Sequence, residues 1–132
     1  MGVESTKQYT YSFMFGEEVK IEEKMKSNLL ESEEILSAYK GKDTLGLFTN
    51  MRIMYRGLLF GQSMPLIGKE VNIYYIPYKS IDFFATEFSD TTLFNVFKHV
   101  TIWTKGNNQI SILFDKDVDI KKIRNNIAMH IV

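Results

Sequence analysis

The order of hydrophobic patterns along the chain is the strongest constraint on its fold. Seven short segments between residues 33 and 114 are rich in aromatic and β-branched residues, and turn-forming residues separate them. The last apolar residues recur instead at helical spacing: Ile120, Ile123, Ile127 and Ile131. This order predicts a mainly β fold, a seven-stranded antiparallel barrel or sandwich that a C-terminal helix over 117–131 caps.

Turn signals set the bounds of the predicted strands. Gly106-Asn107-Asn108 is a strong hairpin signal, Thr49-Asn50 is a second turn, and Pro77 marks a strand end or an edge position. The seven predicted strands are 35–40, 44–48, 51–56, 71–78, 81–88, 96–104 and 109–114.

An aromatic stripe precedes these strands, within an N-terminal extension over 1–16. Alternation with smaller residues places its members on one face of an extended strand: Tyr9, Tyr11, Phe13 and Phe15. Because an aromatic face of this size is costly to expose, we expect it to pack on the domain or on a neighbouring subunit.

Residues 17–30 change to a charged segment with a narrow apolar stripe. Glutamates at its start and lysines nearer its end suit the dipole of a helix. The pattern predicts an N-terminal helix over 17–30, with this stripe: Val19, Ile21, Met25 and Leu29.

Charge and cysteine content exclude several classes of protein. Sixteen basic residues balance sixteen acidic ones and are interleaved with them, so we expect no nucleic-acid partner. Cysteine is absent, which fits a reducing compartment and excludes thiolate metal sites. No apolar run approaches the roughly 20 residues of a membrane span, and the start lacks a signal peptide. We therefore expect a cytoplasmic, single-domain protein over 1–132.

Several motifs resemble those of bacterial pleckstrin-homology (PH) domains. Residues 48–53 match the family's Phe-Thr-Asn-x-Arg turn, residues 76–81 match its Ile-Pro-Tyr-x-Ser-Ile signature, and Ile102-Trp103 match its sixth-strand pair. Two further segments are similar to the first part of bacterial PH domains: Leu29-Leu30-Glu31-Ser32-Glu33-Glu34-Ile35 and Ala38-Tyr39-Lys40. The resemblance covers about residues 17–132.

The resemblance implies a PH-like barrel of seven antiparallel strands with a capping helix and an extra N-terminal helix. It also implies an interaction or assembly module that forms homo-oligomers, including rings, and it does not imply an enzyme. The chain departs from the family at 57–68, where the connection is longer and more apolar, and at 92–95, where an acidic stretch is missing.

The sequence contains no recognisable catalytic or metal-binding motif. His99 and His130 have no third ligand at metal spacing, and no Gly-x-Ser-x-Gly elbow or phosphate-binding loop is present. We therefore predict no catalytic residue, no metal and no cofactor.

Four cations form the candidate lipid-binding site, since phosphate recognition needs several convergent charges. The resemblance suggests Lys40 and Lys42 of the first hairpin with Arg52 and Arg56 of the third strand. Asp43 partly cancels their charge, and a solvated surface is the alternative interpretation.

An apolar loop is the second candidate site. Its side chains would be costly to expose together: Leu58, Leu59, Phe60, Met64, Leu66 and Ile67. The loop can pack on its own domain, on another copy or in a membrane. We rank the contact between copies first, together with the aromatic N-terminal strand.

Three hypotheses of function follow. The first is a non-catalytic, self-associating interaction module, with itself or an unknown protein as partner. The alternative is a peripheral protein that binds anionic lipid at a membrane. A barrel with a small-molecule cavity is the third.

Overall fold

A computed structural model of the chain describes residues 9–57, 72–87 and 97–131. The strands are β1 (Tyr9–Val19), β2 (Ile35–Gly41), β3 (Thr44–Thr49), β4 (Arg52–Gly57), β5 (Asn72–Pro77), β6 (Ile81–Glu87), β7 (Phe97–Thr104) and β8 (Asn108–Asp115). One helix, α1 (Ile120–His130), follows them, and short 3₁₀ turns span Glu23–Lys26 and Tyr78–Ser80. The mainly β fold with a C-terminal helix is confirmed, and each of the seven predicted strands has an observed counterpart.

The strands form one sheet in the order β5-β4-β3-β2-β1-β8-β7-β6. The sheet has eight strands instead of the predicted seven, because the aromatic N-terminal strand joins it as β1. Its first part pairs with β8 in parallel, and its last residues pair with β2. Gly16 lies between the two parts with a φ of 78°, and a side chain there would collide with the Lys40 carbonyl. The register shifts beside this glycine, where β1 changes partner from β8 to β2.

The inner face of the curved sheet holds the main core. Phe15 is fully buried, and its ring contacts those of Tyr39, Phe48, Tyr55 and Phe114. Helix α1 closes this core with three buried isoleucines: Ile120, Ile123 and Ile127. Its first turn is capped by the Asp119 carboxylate, which accepts hydrogen bonds from the backbone of Lys121 and Lys122. The prediction of the C-terminal helix is thus confirmed.

The predicted N-terminal helix over 17–30 is wrong. Residues 17–19 complete β1, and residues 20–34, here named the strap, cross the outer face of β2–β4 with a single 3₁₀ turn. Ile21 is exposed instead of sharing a buried helical face with Met25. Met25 is buried against an outer cluster of Ala38, Leu47 and Met54, so tertiary packing determines the path of the segment.

Met25 anchors the strap, so we expect Met25→Ala to lower the free energy of unfolding by about 2 kcal/mol. Met25 is 5% exposed, whereas Met129 is 74% exposed and makes Met129→Ala a matched control. Chemical denaturation of the two variants measures the difference. Equal stabilities would contradict the packing of the strap on the sheet.

Candidate functional site

Arg52, predicted as a lipid contact, is engaged inside the fold. Its Nε and Nη2 donate to the Glu33 carboxylate at 2.9 and 3.0 Å, and Nη2 also donates to the Asn28 carbonyl at 3.1 Å. The guanidinium lies 4.4 Å from the centre of the Tyr75 ring. Because these contacts pair its charge, Arg52 links the strap to β4. It is therefore not part of a cation site with the other three predicted cations.

The motif residues around Arg52 make a continuous network of hydrogen bonds. The Thr49 hydroxyl donates to Glu33 at 2.7 Å, and Asn50 contacts the backbone of the strap at Ser32 and Glu34. The Tyr78 hydroxyl donates to the Thr49 carbonyl at 2.7 Å. The family-like motifs therefore connect the strap to the turn between β3 and β4.

The network continues from Tyr78 into helix α1. Asn126 donates to the Tyr78 hydroxyl at 2.9 Å, and the His130 ring stacks on Tyr78 with centroids 4.9 Å apart. The His130 Nδ1 lies 2.7 Å from the Asn126 carbonyl. His130 is thus part of the contact between the helix and the sheet.

The buried carboxylate of Glu33 has a shifted pKa. Burial opposes its ionisation, but hydrogen bonds from the Leu30 backbone and Thr49, with the hydrogen bond and charge of Arg52, outweigh burial. Together they hold the pKa of Glu33 below its usual value. Glu33 is therefore charged in the folded protein and paired with Arg52.

Two of the predicted cations, Lys40 and Arg56, line one open groove on the outer face, here named the cationic groove. Its volume is about 570 Å³, and Lys24 of the strap lines it as well. Sequence reasoning missed Lys24 because the strap was predicted as a helix. Lys42 is exposed in the adjoining turn, and Asp43 brings one carboxylate into the groove. The groove thus offers three cations and one acid.

The aromatic N-terminal residues divide between core and surface. Phe13 and Phe15 belong to the core, so the expectation that they form an interface is corrected: this part of β1 pairs with β8, and both rings pack on the domain's own inner face. Tyr11 is half-buried and Tyr9 is exposed. The predicted loop contacts lie outside the described residues: Leu58, Leu59, Phe60, Met64, Leu66 and Ile67.

A stacked aromatic pair lies on the other half of the outer face, with Phe83 exposed and Trp103 half-buried. Phe83 of β6 and Trp103 of β7 are opposite each other and stack with ring centroids 4.6 Å apart. Phe83 is 57% exposed although its neighbour Phe84 packs against the core. The sequence signal was the Phe83-Phe84 pair, which places an aromatic ring on each face of the strand.

The described residues show no arrangement typical of a metal centre. Within 9–57, 72–87 and 97–131, no group of three or more His, Cys, Asp or Glu side chains could hold a metal ion. No helix in the same ranges is long and apolar enough to cross a membrane.

Comparison with known proteins identifies the family. The family model described as "Bacterial PH domain" matches residues 7–131. The chain belongs to the bacterial PH domain family. Among relatives of this PH-domain protein, the uncharacterized protein YjqA of Bacillus subtilis (strain 168) is 30% identical over 110 residues, which are 82% of each chain.

Solved structures agree with this assignment. A DUF1696 family protein with a pleckstrin-homology domain from Shewanella loihica PV-4 superimposes with a TM-score of 0.69 at 22% identity, over 87% of this PH-domain chain and 96% of that one. A pleckstrin homology domain from Shewanella amazonensis SB2B has a TM-score of 0.60 at 25% identity, over 83% of each chain. The family resemblance in the motifs is thus confirmed.

Glu33 links stability to pH, with a definite sign. Since its folded-state pKa is lowered, its contribution is complete above the usual pKa of glutamate and is lost as pH falls through the lowered value. We expect Glu33→Gln to cost about 3 kcal/mol at neutral pH, because Arg52 loses its charged partner, and to flatten the acid dependence. Denaturation at several pH values measures both effects. An unchanged acid dependence in Glu33→Gln would contradict the assigned role.

Proposed function

We propose that this PH-domain protein is a non-catalytic interaction module that associates with copies of itself. The observation that carries the proposal is the open sheet: β5 and β6 end the strand order, and no other described strand pairs with their outer edges. Unpaired edge strands offer rows of backbone donors and acceptors to another chain. Such edges favour strand addition or sheet packing between copies.

Exposed aromatics accompany both edges. Phe83 lies on β6, and Tyr75 lies on β5 with more than two-fifths of its surface exposed. Aromatic side chains are enriched at protein interfaces, where they supply large contact areas at low entropic cost. The two edges are different surfaces, so contact of one with the other would be head-to-tail and would close into a ring or extend as a filament.

The polar groups of the described interior support a non-catalytic role. Arg52, Glu33, Thr49 and Tyr78 satisfy one another in a network that holds the fold. A catalytic group instead needs an accessible position beside a substrate, with its pKa tuned to the reaction. The groups whose pKa values are shifted most are buried in this protein and take part in the packing of the fold.

Light scattering coupled to size-exclusion chromatography tests self-association. We expect the wild-type chain to exceed the monomer mass as its concentration rises, and Phe83→Lys to weaken this, because lysine places a charge on the edge strand. Leu36→Lys is the matched control, since Leu36 is 40% exposed on central strand β2. A wild-type chain that stays monomeric at high micromolar concentration would end the proposal.

Binding of anionic lipid is the second candidate function, which the cationic groove favours. Lys24, Lys40 and Arg56 come from three different elements, and none of the described acids forms an ion pair with Lys40 or Arg56. Convergent cations are what a phosphate headgroup requires. Asp43 in the groove, and Glu17 opposite Lys40 on β1, reduce its positive potential.

Sedimentation with vesicles tests whether the protein binds anionic lipid. The lipid hypothesis predicts binding to mixed phosphatidylserine–phosphatidylcholine vesicles that salt and Lys40→Glu weaken, because exposed charges are screened. Lys121→Glu on α1 is the control for loss of a positive charge elsewhere. Absence of binding at low salt, or equal binding to phosphatidylcholine alone, would exclude a headgroup site.

A further inference from the structure

A cleft opens on the inner face of the sheet beside edge strand β5. Strands β5 and β6 end the strand order, yet only the turn Tyr78–Ser80 joins them in the chain. The curved sheet therefore brings its two ends close together at this turn without pairing them. The gap is a cleft of about 350 Å³, here named the aromatic cleft, and these residues line its interior: Tyr11, Phe13, Tyr74, Ile76, Asn108 and Ile110.

Most of the interior of the aromatic cleft is apolar. Phe13, Ile76 and Ile110 form a buried base, with at most 6% of their surfaces exposed. The rings of Phe13 and Tyr74 pack together with centroids 5.4 Å apart. Tyr11 and Tyr74 are only half-buried, so part of each ring stays open to a ligand. Aromatic walls beside an aliphatic base suit a flat ring.

Polar groups gather at one end of the aromatic cleft. Thr104 and Asn108 are directly opposite each other in the hairpin of β7 and β8, and Lys105 follows Thr104 in the turn. All three residues line the cleft. Neither the Thr104 hydroxyl nor the Asn108 amide forms a side-chain hydrogen bond to the rest of the described chain. Their hydrogen-bonding capacity is therefore available to a ligand.

The charge of the cleft selects the charge of its ligand. Lys105 is the only charged residue among the described residues that line the cleft, and its side chain is exposed. Its ammonium forms an ion pair with none of the described acids. One cation without an acid beside it favours a ligand with a single negative charge and repels a cationic one.

Strand β5 adds a backbone donor beside the cleft. The Tyr78 N–H donates to the Met51 carbonyl, so the backbone groups of even-numbered residues of β5 point to β4 and those of odd-numbered residues point to the free edge. Tyr75 lines the cleft and therefore directs its N–H towards this edge. The carbonyl of Pro77, also on this edge, already accepts the Ser80 hydroxyl at 2.7 Å. A donor thus remains open there for an acceptor atom of a ligand.

We propose that the aromatic cleft binds a small aromatic carboxylate. Its ring would lie against the base formed by Phe13 and Ile110. Its carboxylate would meet the Lys105 ammonium at the polar end, with the Asn108 amide as a second donor. The inference does not rest on the proposed self-association, since one chain supplies every residue of the site.

Size and charge together favour this ligand over larger ones. The cleft volume of about 350 Å³ lies near the lower limit of small-molecule sites, which span roughly 300–1,000 Å³, so the cleft suits a body of one or two rings. A lipid surface needs several convergent cations, and these lie in the cationic groove instead. The aromatic cleft has the opposite balance, with many apolar contacts and one charge.

A pair of probes with the same shape tests the inference. We expect 3-phenylpropionate to bind the wild-type chain saturably, with a Kd of about 1 mM or below, and about fivefold more tightly than uncharged 3-phenylpropionamide. Titration of nitrogen-15-labelled protein measures both affinities by NMR, and the shifts should be largest in residues 74–77 and 104–110. Added salt should reduce the preference for the carboxylate, because Lys105 is exposed.

Two variants of Lys105 separate its charge from the fold, since the residue lies in an exposed turn. Lys105→Met keeps an unbranched apolar chain and should bind both probes equally. Lys105→Glu should reverse the preference, so that 3-phenylpropylammonium binds more tightly than 3-phenylpropionate. Lys116→Met is the matched control, because Lys116 is exposed just beyond the other end of β8 and should leave the preference of the wild type intact.

Each result decides for or against the site. Equal binding of the two probes to wild type, no saturable binding up to about 10 mM, or a preference that survives Lys105→Met would overturn the inference. Shifts confined to Lys24, Lys40 and Arg56 would overturn it as well, because they would place the anion in the cationic groove.

The same titration keeps this inference apart from self-association. If probe binding is lost as protein concentration and mass rise together, a second copy occupies the cleft, and the inference is overturned while self-association stands. A wild-type chain that stays monomeric and binds 3-phenylpropionate with the expected preference supports the inference and ends only the proposed self-association.

Discussion

The ion pair between Glu33 and Arg52 is the interaction on which the rest of the structure depends. The Glu33 side chain is fully buried, so removing one partner would leave a charge without compensation. Thr49 adds a hydrogen bond to the same carboxylate, and Tyr78 extends the contacts from Thr49 to helix α1. The strap, the turn between β3 and β4 and the helix therefore meet at one polar centre.

That centre determines which half of the outer face is covered. By fixing the end of the strap at Glu33, it places Met25 over β2–β4 and covers this half of the outer face. It also removes Arg52 from any site for anions, which leaves Lys40 and Arg56 with Lys24 in the cationic groove. None of the described segments packs on the other half of the outer face, where the Phe83 ring of β6 stays largely exposed.

The sequence was sufficient for elements whose signals are local. Alternation and turn residues located seven strands, and isoleucine spacing located α1, because each pattern reflects burial of one face. The prediction of a helix over 17–30 was wrong because Met25 and Leu29 have helical spacing but pack on distant strands. The parallel pairing of β1 with β8 had no local signal, because its two strands lie about a hundred residues apart in the chain.

The candidate site shows the same limit. Lys40 and Arg56 could be placed together from the family resemblance, whereas Lys24 joins them only because of the path of the strap. The stacking of Phe83 on Trp103 depends on the register of β6 and β7. Both residues were visible as aromatics in the sequence, but their contact appears only when the two strands are aligned.

Amide hydrogen exchange at low and high protein concentration tests the central claim most directly, because it locates the contact between copies. We expect the motif network to serve the fold and the edge of the sheet at β6 to serve association. We expect slower exchange at high concentration in residues 81–87 and 97–104, with no change in residues 35–57. Concentration-dependent protection confined to residues 35–57, or its absence throughout the chain, would contradict the account.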